Sequence, residues 1–185
     1  GASHTYRLEN QEQLEEFMQT KEADVSYIME EFVFAEVNSY DAIIDSHGNP
    51  IFETGNVSPV SIMDIVNNED NAIFYIVKEL AGDTRQAGRA TAKSFNVRSR
   101  FVHFEFFRLQ KDQEGLGRKG ELVGLEVNMR PSGGFSPDMM DFACKTDVYK
   151  IWADMIAFDR TQMQPGDREY CAFVGRRDGK KFILG

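Results

Sequence analysis

An α+β fold built on a largely antiparallel sheet is predicted by three features of the sequence. Runs rich in β-branched and aromatic residues are joined by turn clusters, as in Ser46-His47-Gly48-Asn49-Pro50 between two strand-like segments. Asp178-Gly179, flanked by apolar runs, is a two-residue hairpin signal. Other segments carry apolar residues at helical spacing, with strands and helices not strictly alternating.

Taken in order, residues 6–8 read as a short strand, and Asn10 caps a helix over Gln11–Thr20 in which Leu14, Phe17 and Met18 recur at helical spacing. Residues 25–33 are rich in β-formers and lead through a brief interruption into 39–45, the turn, and a strand at 51–53. A short helix is expected at 61–66, a strand at 71–79, and a helix at 84–95 with Asp83 as its cap. Residues 101–109 and 122–129 are the two most hydrophobic strands, separated by the polar, Gly-rich loop 110–120. Residues 138–158 read as one long amphipathic helix whose Met139, Met140, Phe142, Ile151 and Met155 face the core. Strands at 171–177 and 180–184 close the chain.

With 185 residues, 42% hydrophobic and 28% charged, the chain can bury a sizeable core, which excludes wholesale disorder and a disulfide-dependent scaffold. No repeat or linker marks a second domain. The net charge of −9 disfavours a general nucleic-acid-binding surface. Cys144 and Cys171 have no CxxC spacing and read as small buried hydrophobes in a reducing compartment, with no zinc site. No apolar run is long enough to span a membrane and the N-terminus lacks a signal-peptide pattern, so no membrane association and a cytoplasmic location are expected.

The chemistry is expected on the two hydrophobic strands. Alternation along Leu125-Glu126-Val127-Asn128-Met129-Arg130 places Glu126, Asn128 and Arg130 on one face. Glu105 sits in the aromatic segment Phe104-Glu105-Phe106-Phe107, where an unpaired charge is costly. Antiparallel pairing with Leu109 opposite Leu122 sets Glu105 opposite Glu126, and two such carboxylates repel unless a cation lies between them. Hard oxygen donors from Glu105, Glu126 and Asn128 suit Mg²⁺ or Mn²⁺ with nucleotide phosphates completing the shell, and the Arg130 guanidinium matches a transferred phosphoryl group. His103 could face the same site, but a hydrogen-bonded packing role is the expectation and it is left outside the metal shell. Lys78 and Arg108 flank the proposed cleft, where phosphate contact and simple exposure account for them equally.

These residues resemble the C-terminal part of the ATP-grasp superfamily, whose last metal-binding strand carries Glu-x-Asn-x-Arg after a strand with another metal-binding Glu. The run from Arg130 through Pro131-Ser132-Gly133-Gly134-Phe135 to Asp138 is similar to that of bacterial carboxylate–amine ligases. The resemblance implies that Glu30, Glu31, Phe32 and Val33 lie in a hinge strand near 29–33 that binds adenine through its backbone. Of Glu30 and Glu31, strand alternation turns only one to the cleft. Glu36 would hold the ribose hydroxyls, Glu105, Glu126 and Asn128 the metal, and Arg130 would act in catalysis. Gly1-Ala2-Ser3 resembles the tail of a glycine-rich phosphate loop.

The implied function is ATP- and Mg²⁺-dependent formation of an acylphosphate on a small-molecule carboxylate, followed by attack of an amine or similar nucleophile. The family's preceding substrate domain and its strand lysine before the glycine-rich loop have no counterpart here, so residues 1–185 resemble a partial domain, expected to be inactive by itself. A non-catalytic binding or scaffold module that keeps the fold is the alternative. A phosphohydrolase fits less well, because no general base stands beside the metal face.

Overall fold

The segment Ala-Glu-Val-Asn-Ser-Tyr-Asp-Ala-Ile-Ile supplies the branched and aromatic residues that favour a pleated, buried strand, and it forms the centre of the fold as β1 (Ala35–Ile44). The computed structural model describes residues 5–60 and 71–176. Among these, β1 is followed by β2 (Pro50–Thr54), β3 (Asn56–Ser58), β4 (Ala72–Ile76), β5 (Arg100–Leu109), β6 (Leu122–Asn128) and β7 (Cys171–Gly175). The helices are α1 (Gln11–Thr20), α2 (Gly82–Ser94), α3 (Ser136–Cys144) and α4 (Val148–Phe158). The strands make one antiparallel sheet in the order β6-β5-β1-β3-β4-β7, with β2 also paired to β1. The α+β class read from the sequence is therefore the class of the fold.

Each face of the sheet carries its own apolar cluster. On one, Tyr40, Ala42, Ile44, Val102, Phe104 and Phe106 meet Ala92 of α2, along with Leu80 and Val97. On the other, Ile43, Phe52, Ile76 and Phe101 meet Met139, Met140, Ile151 and Met155 of α3 and α4. Burial of these side chains, at about 1.5–3 kcal/mol each, is what holds the helices to the sheet. Two glycines permit close approach. A Cβ on Gly88 would lie 2.1 Å from the Tyr40 ring, and one on Gly55 would lie 2.3 Å from the Ser39 carbonyl oxygen. Gly88 lets α2 lie flat on Tyr40, while Gly55 lets the chain between β2 and β3 press against β1.

Several elements differ from the expectation. The region 138–158 is two helices, because Lys145 takes a left-handed conformation (φ 46°) and the Asp147 carboxylate caps α4 by accepting from Lys150 N. Phe142 projects outward and is exposed, unlike the other four apolar residues of that series. Residues 6–8 are not a strand: Tyr6 instead packs its ring on Phe17 and Tyr27. Residues 25–33 have no ladder partner and stay irregular. Asp83 does not cap α2, since its carboxylate is committed to Arg108 and to its neighbour Thr84. The strand at 71–79 is shorter, at Ala72–Ile76. The expected helix at 61–66, the strand at 180–184, the Asp178-Gly179 turn and Gly1-Ala2-Ser3 lie outside the described residues.

Candidate functional site

On the face that carries Ile43 and Phe101, the next cross-strand partners along β1 and β5 are Asp41 with His103, then Ser39 with Glu105. Across the β5–β6 ladder, His103 faces Asn128 and Glu105 faces Glu126. Directly opposed residues share a face. Three strands therefore bring Ser39, Asp41, His103, Glu105, Glu126 and Asn128 together on one side of the sheet.

The register reaches this arrangement by a different route from the one expected. Leu122 pairs with Arg108, not Leu109, and Gly124 with Phe106. Leu125 is then an extra residue, a β-bulge, after which Glu126 meets Glu105. Without that bulge Leu125 would stand opposite Glu105, and Glu126 and Asn128 would turn to the other face. Bulges of this kind re-aim side chains, and here two polar groups are re-aimed.

Exposure rises along the group. The Asp41 side chain is 0% exposed, that of His103 7% and that of Glu105 20%, while Glu126 is open to solvent. Asn56 N donates to Ser39 Oγ (2.8 Å), and the Ser39 hydroxyl donates to Asp41 Oδ2. His103 Nδ1 lies 2.8 Å from Asp41 Oδ1, and its Nε2 lies 3.2 Å from Glu105 Oε1. Only an imidazolium has an N–H for both carboxylates. Burial works against that charge, but Asp41, followed by Glu105, outweighs it and raises the His103 pKa to about 10. In turn the His103 hydrogen bond, opposed by burial, holds the Glu105 carboxyl below its ordinary range, with the Arg130 charge adding to it.

Asn128 Nδ2 is buried without a hydrogen-bond partner. A buried amide left unpaired costs free energy, and its planar head can turn over to offer either oxygen or nitrogen to a ligand. Arg130 follows in the bend after β6; it is exposed, and its Nη1 donates to the Pro131 carbonyl oxygen (2.9 Å). Among the described residues no three His, Cys, Asp or Glu side chains form a ready metal cage. Two opposed carboxylates and an amide oxygen do suit a hard divalent cation that keeps water or phosphate oxygens in its remaining positions.

The hinge candidates lie elsewhere on the chain. Glu30 and Glu31 are exposed, and Phe32 and Val33 are half-buried, in an irregular stretch and not in a strand. That stretch is fixed by a residue the sequence reading passed over. The Gln113 side chain accepts from Phe34 N (2.7 Å) and donates to the Phe32 carbonyl oxygen (3.0 Å), while Gln110 N donates to the Phe34 carbonyl oxygen (2.8 Å). The Arg7 guanidinium covers the Phe32 ring at 4.3 Å. Glu36 is paired with Arg108, and strand alternation puts it on the face opposite Glu105. The structure thus brings Glu105, Glu126 and Asn128 together and leaves Glu36 away from them.

Lys78 Nζ lies 3.4 Å from Glu169, and Arg108 is held by Asp83, Thr84, Asn38 and the Gly120 carbonyl oxygen. Neither reaches the carboxylate pair. Nothing local singles out Ser39 and Asp41 in the sequence, because their partners Asn56 and His103 lie far along the chain. Among the described residues no helix is long and apolar enough to cross a membrane. Cys144, buried, and Cys171, half-buried, are both free thiols. No known protein-family model matches the chain, and no curated protein matches it.

Proposed function

We propose that this chain is the ATP- and Mg²⁺-binding portion of an ATP-dependent ligase that activates a small-molecule carboxylate as its acylphosphate for attack by an amine or similar nucleophile. The observation that carries the reading is the Glu105–Glu126 pairing on one face, with the Asn128 amide, its nitrogen unpartnered, beside it and Arg130 just beyond. Two adjacent carboxylates on an accessible sheet face are destabilising by themselves and become favourable when they share a cation.

Glu105, Glu126 and Asn128 are the residues that would hold the ion, Mg²⁺ or Mn²⁺. When bound, it supplies neutralisation of charge on the nucleotide phosphates. Glu105 enters this role already ionised, because His103 stabilises its carboxylate. Arg130 has an exposed guanidinium two residues beyond Asn128, suited to hold phosphate oxygens and to stabilise charge developing on them. Adenine would lie against the backbone of residues 30–33, which Gln113 braces from one side. Phosphoryl transfer needs positioning and electrostatics more than a protein nucleophile, and the Ser39 hydroxyl in this group is buried and committed to Asp41.

Calorimetric titration of Mg²⁺·ATP and Mg²⁺·ADP into the chain tests the reading. Saturable binding that is lost in a Glu126→Ala/Asn128→Ala variant is expected. Binding that is absent, or unaffected by the double substitution, removes the basis for it.

A further inference from the structure

Glu105 has three rotatable side-chain bonds and stands at the boundary between core and solvent, where a carboxylate is not held in place by packing alone. What holds it here is a file of hydrogen bonds that begins at the Asn56 amide and passes through Ser39, Asp41 and His103. Ionised carboxylates only accept, and the donor directions follow from that. The Ser39 oxygen accepts from Asn56 and its hydroxyl donates to one Asp41 oxygen, the other Asp41 oxygen accepts from His103 Nδ1–H, and His103 Nε2–H is left to donate to Glu105 Oε1. The file anchors in Asp41, which is wholly buried, and in Ser39, over which Gly55 brings the next strand.

We propose that Asp41 and His103 are positioning residues: they hold Glu105 Oε1 by a hydrogen bond from His103 and so leave Oε2 turned toward a divalent cation shared with Glu126. The proposal rests on the reading of Glu105 and Glu126 as metal ligands. A group behind a metal-ligating side chain fixes its orientation, and loss of such a partner commonly weakens metal affinity about 10- to 100-fold. A buried Asp–His pair placed only to stabilise the fold would have no reason to extend a second hydrogen bond outward to the carboxylate that faces Glu126.

The test is Mn²⁺ binding to the chain in the presence of ADP, followed by the electron paramagnetic resonance signal of free Mn²⁺, well below the melting temperature of every variant. The amide nitrogen of glutamine falls near the place of His Nε2, and that of asparagine near Nδ1. His103→Gln is therefore expected to bind Mn²⁺ within about threefold of wild type, and His103→Asn about tenfold or more weakly. Asp41→Asn, which never touches the ion, is expected to weaken binding as well. Because a lone His103 substitution leaves the buried Asp41 carboxylate without a cationic partner, the same comparison is made in the Asp41→Asn background, where Asp41→Asn/His103→Gln should bind more tightly than Asp41→Asn/His103→Asn. Wild-type affinity in both His103 variants, or an equal loss in both, overturns the positioning role while loss in Glu126→Ala leaves the metal reading standing. If wild type binds no Mn²⁺ and Glu126→Ala is indistinguishable from it, the metal reading itself fails and takes the positioning role with it.

Discussion

Glu105 faces Glu126 directly across the β5–β6 ladder, one step past the bulge at Leu125. Like charges in this position oppose each other by up to about 1 kcal/mol. In metal-free buffer containing chelator, Glu126→Gln is therefore expected to raise the melting temperature by about 1–3 °C. Adding Mg²⁺ with ADP should then stabilise wild type and leave the variant unmoved. Calorimetric melting with and without the ion checks both halves, and a variant less stable than wild type in chelator would show that the pair is not a site of repulsion.

Gly88 sits against the Tyr40 ring with no room for a methyl group. Alanine has the better helix propensity by about 1 kcal/mol, so Gly88→Ala would stabilise an isolated α2. In the folded protein the clash is expected to prevail, with a net loss of about 1–3 kcal/mol as α2 is pushed off the sheet. Urea denaturation measures it, and an unchanged or raised midpoint would mean that the helix can shift freely.

Arg108 holds the Asp83 carboxyl down at about 2 through a two-bonded pair, against some burial. An unfolded aspartate titrates near about 3.9. Because the folded value is the lower, the stabilisation is fully present above the unfolded value and is lost as pH falls from there through about 2. Asp83 is half-exposed, so solvent screening keeps the effect small. The stability gap between wild type and Asp83→Asn should be constant above about pH 5 and close on acidification. A gap that does not depend on pH would exclude the ion pair as its cause.

Gln113 braces the stretch around Phe32 and Phe34 from a loop far away in sequence. With a net hydrogen-bond contribution of about 1 kcal/mol, Gln113→Ala should speed hydrogen exchange at the Phe34 amide about fivefold. Under the proposed function it should also weaken ADP more than inorganic triphosphate, since the brace lies behind the base and not the phosphates. Unchanged exchange at Phe34 would show that neighbouring contacts suffice.

Most of the sheet was legible because β1, β5 and β6 carry β-branched and aromatic residues between clear turn signals. The Glu105–Glu126 opposition was legible too, although the assumed Leu109–Leu122 pairing was not the one formed. A bulge at Leu125 shifts the ladder by one residue, and nothing in Val123-Gly124-Leu125 announces it beyond the glycine. The break between α3 and α4 was written in Asp147, a good capping residue, yet the unbroken apolar spacing from Met139 to Met155 masked it. Phe142 shows the limit of spacing alone, since it stands three residues from Met139 yet lies on the side of α3 away from the buried Met139, Met140 and Ala143. Asp41 and Gln113 were hidden for a different reason. Their roles depend on partners 62 and 79 residues away, and no local pattern encodes such contacts.

Crystals of the chain grown with Mn²⁺ and ADP, measured for anomalous scattering, place the ion without reference to activity. A Mn²⁺ peak bonded at about 2.1 Å to carboxylate oxygens of both Glu105 and Glu126 and to the Asn128 amide oxygen, with a phosphate oxygen completing its shell, is the expected outcome. Nucleotide and ion bound on the face that carries Arg108 and Glu36, with the two glutamates left to solvent, would refute the reading of β5 and β6 as the nucleotide-binding strands.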